Sequence, residues 1–298
     1  MTPRILAIRG GAIGDFILTL PALALLRETF AHCRLEVLGY PHIASLAQHC
    51  GPRETATYAD AVHSIEYGPL ASFFARRGDL HPAMCDFFSG YQQIVSWLFD
   101  PDGIFEANLR RAGVKNYLSA YTKVTDTHHA AAQLARGLES MALFLDAPPA
   151  AVLRPTPAIL ADADAWLVAA GLRPGFTAIH PGSGSPRKNW PHWKTALART
   201  TAPVLLIGGE ADAATMFAGH PTALNLPLPL LAGILTRSAR YLGHDTGISH
   251  LAAAVGTNCT LLFGPTAPAV WAPLGNHVRI IEAPGGNLEA LSVDEIAF

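Results

Sequence analysis

Cysteine is scarce in this chain, and its placement rules out two classes at once. Cys33, Cys50, Cys85 and Cys259 stand far apart and make no C-x-x-C pair. That excludes a disulfide framework and a zinc knuckle, and it fits a reducing cytosol. An excess of either charge is missing too: 21 Lys and Arg meet 23 Asp and Glu, for a formal net charge of -2. No global basic field is left for nucleic acid or an acidic membrane. No stretch reaches the roughly 18 uninterrupted apolar residues of a spanning helix. Ile5 to Leu26 is rich in apolar residues, but Arg9, Gly10-Gly11 and Asp15 interrupt it, which makes a signal peptide a poor reading. The expectation is a soluble, cytoplasmic protein with, at most, a peripheral membrane contact. Also missing are G-x-G-x-x-G and G-x-x-x-x-G-K-[ST], so the dinucleotide and P-loop signatures are both absent.

What is present is apolar and long. Half of the 298 residues are hydrophobic and 15% are charged, the balance of a well-buried α/β protein. The length exceeds a usual single core, so two domains are expected. The Pro-rich passage from Ala147 to Pro157 is the best linker, which places the domains at 1–150 and 151–285.

Three stretches carry the candidate chemistry. Arg4 to Ile8 reads as a buried strand, Gly10-Gly11-Ala12-Ile13-Gly14-Asp15 as a turn, and Phe16 to Phe30 as a helix interrupted early by Pro21; the strand Arg34 to Leu38 completes a βαβ unit. Gly11 and Gly14 let another molecule approach the backbone. Asp15 either complements the helix dipole or offers a general base at the sheet edge. Phe176 to His180 is the next informative strand. The loop behind it, Pro181 to Pro191, brings Ser183, Gly184, Ser185, Arg187 and Lys188 to the place where α/β proteins hold ligands. Its small residues, hydroxyls and cations suit phosphate capture, though an ordinary surface loop could share that composition. Third, Tyr241 to Gly243 ends at His244-Asp245, Thr246-Gly247 turn, Ile248 to Val255 forms a short buried helix, and Cys259 to Phe263 follows as a strand. The free N–H groups of that helix start make an anion site, and Asp245 or Thr246 serves as a cap or as a ligand contact.

The remaining expectations are structural. Ile43 to His49 and Thr127 to Leu145 look helical; Ile65-Glu66-Tyr67 and Gln93 to Phe99 look like strands. His128-His129 starts the second helix as a solvated or capping pair. Asp162-Ala163-Asp164 resembles a metal-binding D-x-D but reads as the acidic opening of a helix over Ala161 to Ala170. Val204 to Ile207 is a strand before Gly208-Gly209-Glu210, and Leu224 to Ala239 is a further apolar helix.

Together these blocks resemble glycosyltransferase family 9, the heptosyltransferases of lipopolysaccharide inner-core synthesis. The matching residues are Ile8 to Asp15 with Leu20-Pro21-Ala22-Leu23, His180 to Pro191, and His244-Asp245-Thr246-Gly247 with His250 to Ala254. A tail of Leu262 to Thr266 with Trp271 and Pro273 agrees; residues 50 to 125 show no likeness. The resemblance implies a GT-B fold of two Rossmann-like domains facing across a cleft, acceptor-binding first and nucleotide-sugar-binding second. It also implies that residues 286–298 return to the first domain as a helix. Asp15 would correspond to the general base, Lys188 to a donor-phosphate contact and Asp245 to a sugar contact. Thr246 and Gly247 would offer N–H groups to the diphosphate, with His250 nearby. The expected partners are an ADP-heptose donor, with no further cofactor, and a glycan or glycolipid acceptor at the inner face of the inner membrane.

Chemically, inverting transfer needs a base on one face of the sugar and stabilisation of a leaving diphosphate on the other. Asp15 supplies the first; Lys188, Ser183, Ser185 and the helix start at Thr246 supply the second without a metal. Two other readings use the same architecture: a nucleotide-sugar epimerase, and a nucleotide-sugar-binding protein without turnover. The glycine spacing is wrong for a nicotinamide oxidoreductase.

Overall fold

The computed structural model describes residues 2–53, 56–145, 147–209, 212 and 217–296. Glu210, at the end of the Gly-Gly turn, and the last two residues lie outside that set. The first half runs β1 (Arg4–Arg9), α1 (Ile13–Thr29), β2 (Arg34–Gly39), α2 (Pro41–His49), a short β3 (Cys50–Gly51) and β4 (Ala61–Ser64). It continues through α3 (Pro82–Ser89), β5 (Gln93–Ser96), α4 (Ile104–Arg111), β6 (Tyr117–Ser119) and α5 (Ala130–Arg136). The second half runs β7 (Arg154–Pro155), α6 (Pro157–Ala169), β8 (Thr177–Ile179), α7 (Trp193–Arg199), β9 (Val204–Gly208) and β10 (Thr222–Leu224). After these come α8 (Leu228–Leu235), β11 (Arg240–His244), α9 (Gly247–Ala254), β12 (Cys259–Phe263), α10 (Pro268–Trp271) and β13 (Val278–Glu282).

Two large sheets result, both wholly parallel, beside a small antiparallel β3–β7 pair. Their orders are β4-β2-β1-β5-β6 and β10-β9-β8-β11-β12-β13. Central strands of parallel sheets are covered on both faces and read as continuous apolar runs, which is how Ile5 to Ile8 and Cys259 to Phe263 behave. The chain is therefore α/β with two Rossmann-like domains. One outer core lies behind the first sheet, around Phe73, Phe88 and Phe105; another lies behind the second, around Trp190 and Trp193. The inner faces share a single continuous core, in which Leu20, Leu23 and Leu46 join Leu231, Leu251 and Ala252. No described helix is long and apolar enough to cross a membrane.

Several local expectations change. α1 runs unbroken through Pro21, because burying Phe16, Leu20, Leu23 and Leu26 offsets one missing intrahelical hydrogen bond. Ile65 to Tyr67 follows β4 as a turn, and Thr127 to Leu145 holds only the short α5 and a 3-10 turn at Glu139–Met141. Gly137 interrupts the alanine pattern: a Cβ there would meet the Ala120 carbonyl at 2.4 Å, and the chain turns away at the helix end. α8 starts four residues later than Leu224, because Thr222–Leu224 is taken into the sheet beside β9. α6 begins earlier, with Pro157 in its first turn, so Asp162 and Asp164 sit in mid-helix, and Asp164 accepts both arms of Arg237 at 2.7 and 2.9 Å.

The Pro-rich passage, which lies between the two large sheets, is stitched down: Leu153 donates to the Ala254 carbonyl, the Tyr58 hydroxyl donates to the Val152 carbonyl, and β7 pairs antiparallel with β3. One longer-range expectation also changes. The tail does not return to the first domain as a helix. Leu288, Leu291 and Ile296 join the Trp190 core in short 3-10 turns, and the Trp190 indole donates to the Leu291 carbonyl at 2.9 Å. These three apolar side chains bury against Trp190 and Trp193, which holds residues 288–296 on the second sheet. Leu291→Ala is expected to cost roughly 2–5 kcal/mol. A urea transition read by circular dichroism checks this, and an unchanged midpoint would show that the tail does not pack there.

Candidate active site

The carboxyl edges of the two sheets face each other, and the site forms where α1 meets α9. A Cβ on Gly247 would meet Ile13 Cβ at 2.6 Å and the Gly14 nitrogen at 3.0 Å; one on Gly14 would meet the His250 ring at 3.3 Å. Both residues are glycine because the two helix starts touch there.

Asp15 lies in the first turn of α1 and its carboxylate folds back to accept the Ala12 N–H at 3.1 Å. Gly11, at φ +95°, has the left-handed backbone that allows this, with Asp15 Oδ2 only 3.0 Å from where a Cβ would stand. Gly11 thus frames Asp15 and does not line the cavity. Behind Asp15, the buried Arg9 donates to the Asp15 carbonyl at 3.1 Å and holds a nitrogen 3.8 Å from the carboxylate. Burial pushes the guanidinium below its ordinary value, yet at neutral pH it is a cation beside a carboxylate. Asp15 itself is half-exposed.

Across the cavity, Lys188 Nζ donates to Asp245 Oδ2 at 2.7 Å, and the Thr266 hydroxyl donates to the same oxygen at 2.8 Å. Asp245 stands just before Thr246, the N-cap of α9, and the Thr246 hydroxyl accepts the Ser249 N–H. Gly247 opens the helix, so its backbone N–H belongs to the turn that carries the positive end of the dipole. Gly14, Asp15, Lys188, Asp245, Thr246, Gly247 and His250 all line one cavity of about 370 Å³, with Thr266 and Trp271 completing it. A second cavity of about 720 Å³ adjoins it at Thr246 and Gly247. Its walls are apolar, with Ile207, Leu226 and Leu231, and its polar groups include Ser183, Gly184, Asn225 and Asp212.

The loop after β8 is held from below. His244 Nε2 accepts the Trp190 N–H at 2.8 Å, so its proton sits on Nδ1, facing the Gly182 carbonyl. Ser183 is spent inside the loop, donating towards Ser185 and Asn189, and Ser185 begins the 3-10 turn that carries Lys188 without lining either cavity. His180 links Thr246 to Asp212, at 3.3 and 3.1 Å. Nothing in its local spacing singles out Asp212, which follows a Gly-Gly turn; its carboxylate lies over Gly182, where a Cβ would be 1.9 Å from it. Thr266 and Trp271 stood only in the tail of the resemblance, and Arg9 only as an interruption of the apolar run and a member of the first block. A buried basic residue ending β1 is the one signal that could have marked it.

Two facing Rossmann-like domains with a cleft between their carboxyl edges define the GT-B class of glycosyltransferase. The model of glycosyltransferase family 9 (heptosyltransferase) matches residues 110–294. The chain belongs to that family and is a glycosyltransferase. Its fold matches the family 9 glycosyltransferase of Veillonella parvula DSM 2008 at a TM-score of 0.77, with 17% identity over 98% of this chain and 94% of that one. Heptosyltransferase WaaC of E. coli with ADP matches at 0.67 and 18% identity, covering 98% and 97%. The ADP-heptose lps heptosyltransferase II of E. coli matches at 0.69 and 15%, covering 98% and 96%. No curated protein matches the chain by sequence.

Burial pushes His250 down to about 4 and His244 to about 3. Both are neutral in the fold and free to charge, near pH 6.5, when unfolded. Their contribution is therefore complete above pH 6.5 and is lost as pH falls through that value towards the folded ones. Melting temperatures are expected to hold level down to about pH 6.5 and then drop. His250→Gln should drop less steeply; a flat profile in the wild type would contradict the burial of both rings.

Proposed function

We propose that the protein is an inverting, metal-independent transferase that moves a heptose from ADP-heptose to a glycan or glycolipid acceptor of the lipopolysaccharide-core kind. The observation that carries this reading is that Asp15 and the Lys188–Asp245–Thr266 group face each other across one cavity, with the start of α9 between them. Asp15 takes the proton of the acceptor hydroxyl, whose oxygen then attacks the anomeric carbon. The bond from that carbon to the diphosphate oxygen breaks on the opposite face, giving inversion. Charge gathering on the leaving diphosphate is met by the Lys188 ammonium and the N–H groups of α9, preorganised donors that need not reorient during the reaction. Asp245 and Thr266 orient the lysine, and the Asp245 oxygen that is not so engaged is available to sugar hydroxyls.

The adjoining apolar cavity suits a nucleoside, with the diphosphate reaching Thr246 and Gly247 where the two cavities join. Adenine and heptose come into the proposal from the fold's likeness to the E. coli enzyme solved with ADP and with ADP-2-deoxy-2-fluoro heptose. A cytoplasmic location, with peripheral contact at the inner face of the inner membrane, follows from that substrate.

Asp15→Asn is expected to lower kcat by about 10²-fold or more at saturating substrates while leaving donor affinity in place. Turnover near the wild-type level would remove Asp15 from the chemistry. Thermal unfolding against ADP, UDP, GDP and NAD tests the donor. ADP at 100 times its dissociation constant adds about 2.7 kcal/mol, and Lys188→Ala should abolish most of that gain. Selective stabilisation by UDP or GDP would keep the transferase and replace the nucleotide. Isomerised donor in the absence of acceptor would identify an epimerase instead.

A further inference from the structure

The acceptor side of the cleft is the carboxyl edge of the first sheet, and the charges there bear on what the acceptor is. Within a few residues of the strand ends stand two cations, Arg9 and Lys123, and four carboxylates, Asp15, Glu66, Asp100 and Asp102. Arg9 is buried against Asp15, and Asp100 is committed to the Phe105 and Glu106 N–H groups at the start of α4. The edge is thus neutral to acidic. Much of the domain's positive charge lies at the opposite edge, where Arg110 donates to the Lys115 carbonyl and Arg111 to the Gly78 carbonyl. Across the cleft, Lys188 is tied to Asp245. An acceptor unit bearing phosphates or carboxylates would find like charge beside Asp15 and little to offset it.

The same edge presents a different chemistry. Phe99, just past β5, is 67% exposed, and Tyr121, just past the neighbouring β6, is 39% exposed. Their ring centroids are 5.1 Å apart with planes tilted by 48°. The pair stands on the same sheet edge as Asp15: β5 adjoins β1, whose end leads into α1, and β6 adjoins β5. Two large aromatic faces left open to water, beside a carboxylate that must receive a hydroxyl, suit a partner with an apolar face and polar edges. A pyranose ring has that character: C–H groups on its faces, hydroxyls around its rim.

We propose that the acceptor unit bound next to Asp15 is an uncharged sugar, held with one ring face against the Phe99–Tyr121 pair. This rests on the glycosyltransferase reading above and narrows its acceptor. The test uses the full-length protein with ADP-heptose and two acceptor sets, methyl glycosides of glucose, galactose, mannose and heptose, and the 6-phosphates of the hexosides. Released ADP is measured above the rate without acceptor. Turnover is expected with a neutral glycoside, with a KM that salt does not alter. Phe99→Ala and Tyr121→Ala should each raise that KM about tenfold while leaving the thermal shift with ADP unchanged.

Preference for phosphorylated acceptors, with a KM that rises with salt, would overturn the proposal. So would wild-type KM values in both variants, or intact donor binding with no neutral glycoside turned over. Failure of ADP-heptose to bind at all would strike the donor reading instead. In that event saturation-transfer NMR of the neutral glycosides still decides the matter: contact with wild type that is lost in Phe99→Ala supports the platform, and no contact overturns it.

Discussion

Everything in the cleft depends on two backbones coming into contact at Gly14 and Gly247. A single added methyl at Gly247 would stand 2.6 Å from Ile13 Cβ, so the first turns of α1 and α9 could not keep their spacing. That spacing sets how far Asp15 is from Lys188, Asp245 and the N–H groups of α9. The contact also closes the apolar seam, because α1 and α9 carry Leu20, Leu23, Leu251 and Ala252 into one core. Packing and the proposed catalytic geometry are fixed by the same interface.

The electrostatics follow from what that interface buries. Histidines deep in the fold are used as hydrogen-bonding pins: His244, kept neutral by burial, holds the Lys188 loop through Trp190, and His180 spans Thr246 and Asp212. The charged groups that remain are paired across short distances at the cavity wall, Arg9 with Asp15 and Lys188 with Asp245. The Lys188 ammonium and the start of α9 line one side of the cavity and the half-exposed Asp15 carboxylate the other. In the proposed reaction such a division would polarise a sugar between leaving group and nucleophile.

Much of this was legible because parallel strands and helix starts have strong local signatures. Apolar runs ending in Gly-rich or His-Asp-Thr-Gly turns gave the βαβ units around Asp15 and Asp245, and the three blocks together gave the family. What was not legible depended on distant contacts. Thr127 to Leu145 has helical periodicity, but the approach of Ala120 to Gly137 cuts it short. Thr222–Leu224 looks like the front of a helix until β9 offers it a ladder. The Pro-rich passage has the composition of a tether, yet backbone groups from both domains satisfy it. Asp212, Thr266 and Arg9 have no spacing that announces them; each gains its role only when a neighbour more than five residues away is brought beside it.

The continuous seam makes the two halves poor candidates for separate existence. In many two-domain enzymes each half closes its own core and the connection is a hinge. Here the inner helices α1 and α2 of one half are the covering layer for α9 and α8 of the other. Cutting the chain near Val152 would bare a wide apolar face on each fragment, and the two would aggregate or reassemble as a complementing pair. For the same reason, relative motion of the domains has to slide or unpack these helices, rather than bend the Pro-rich passage alone.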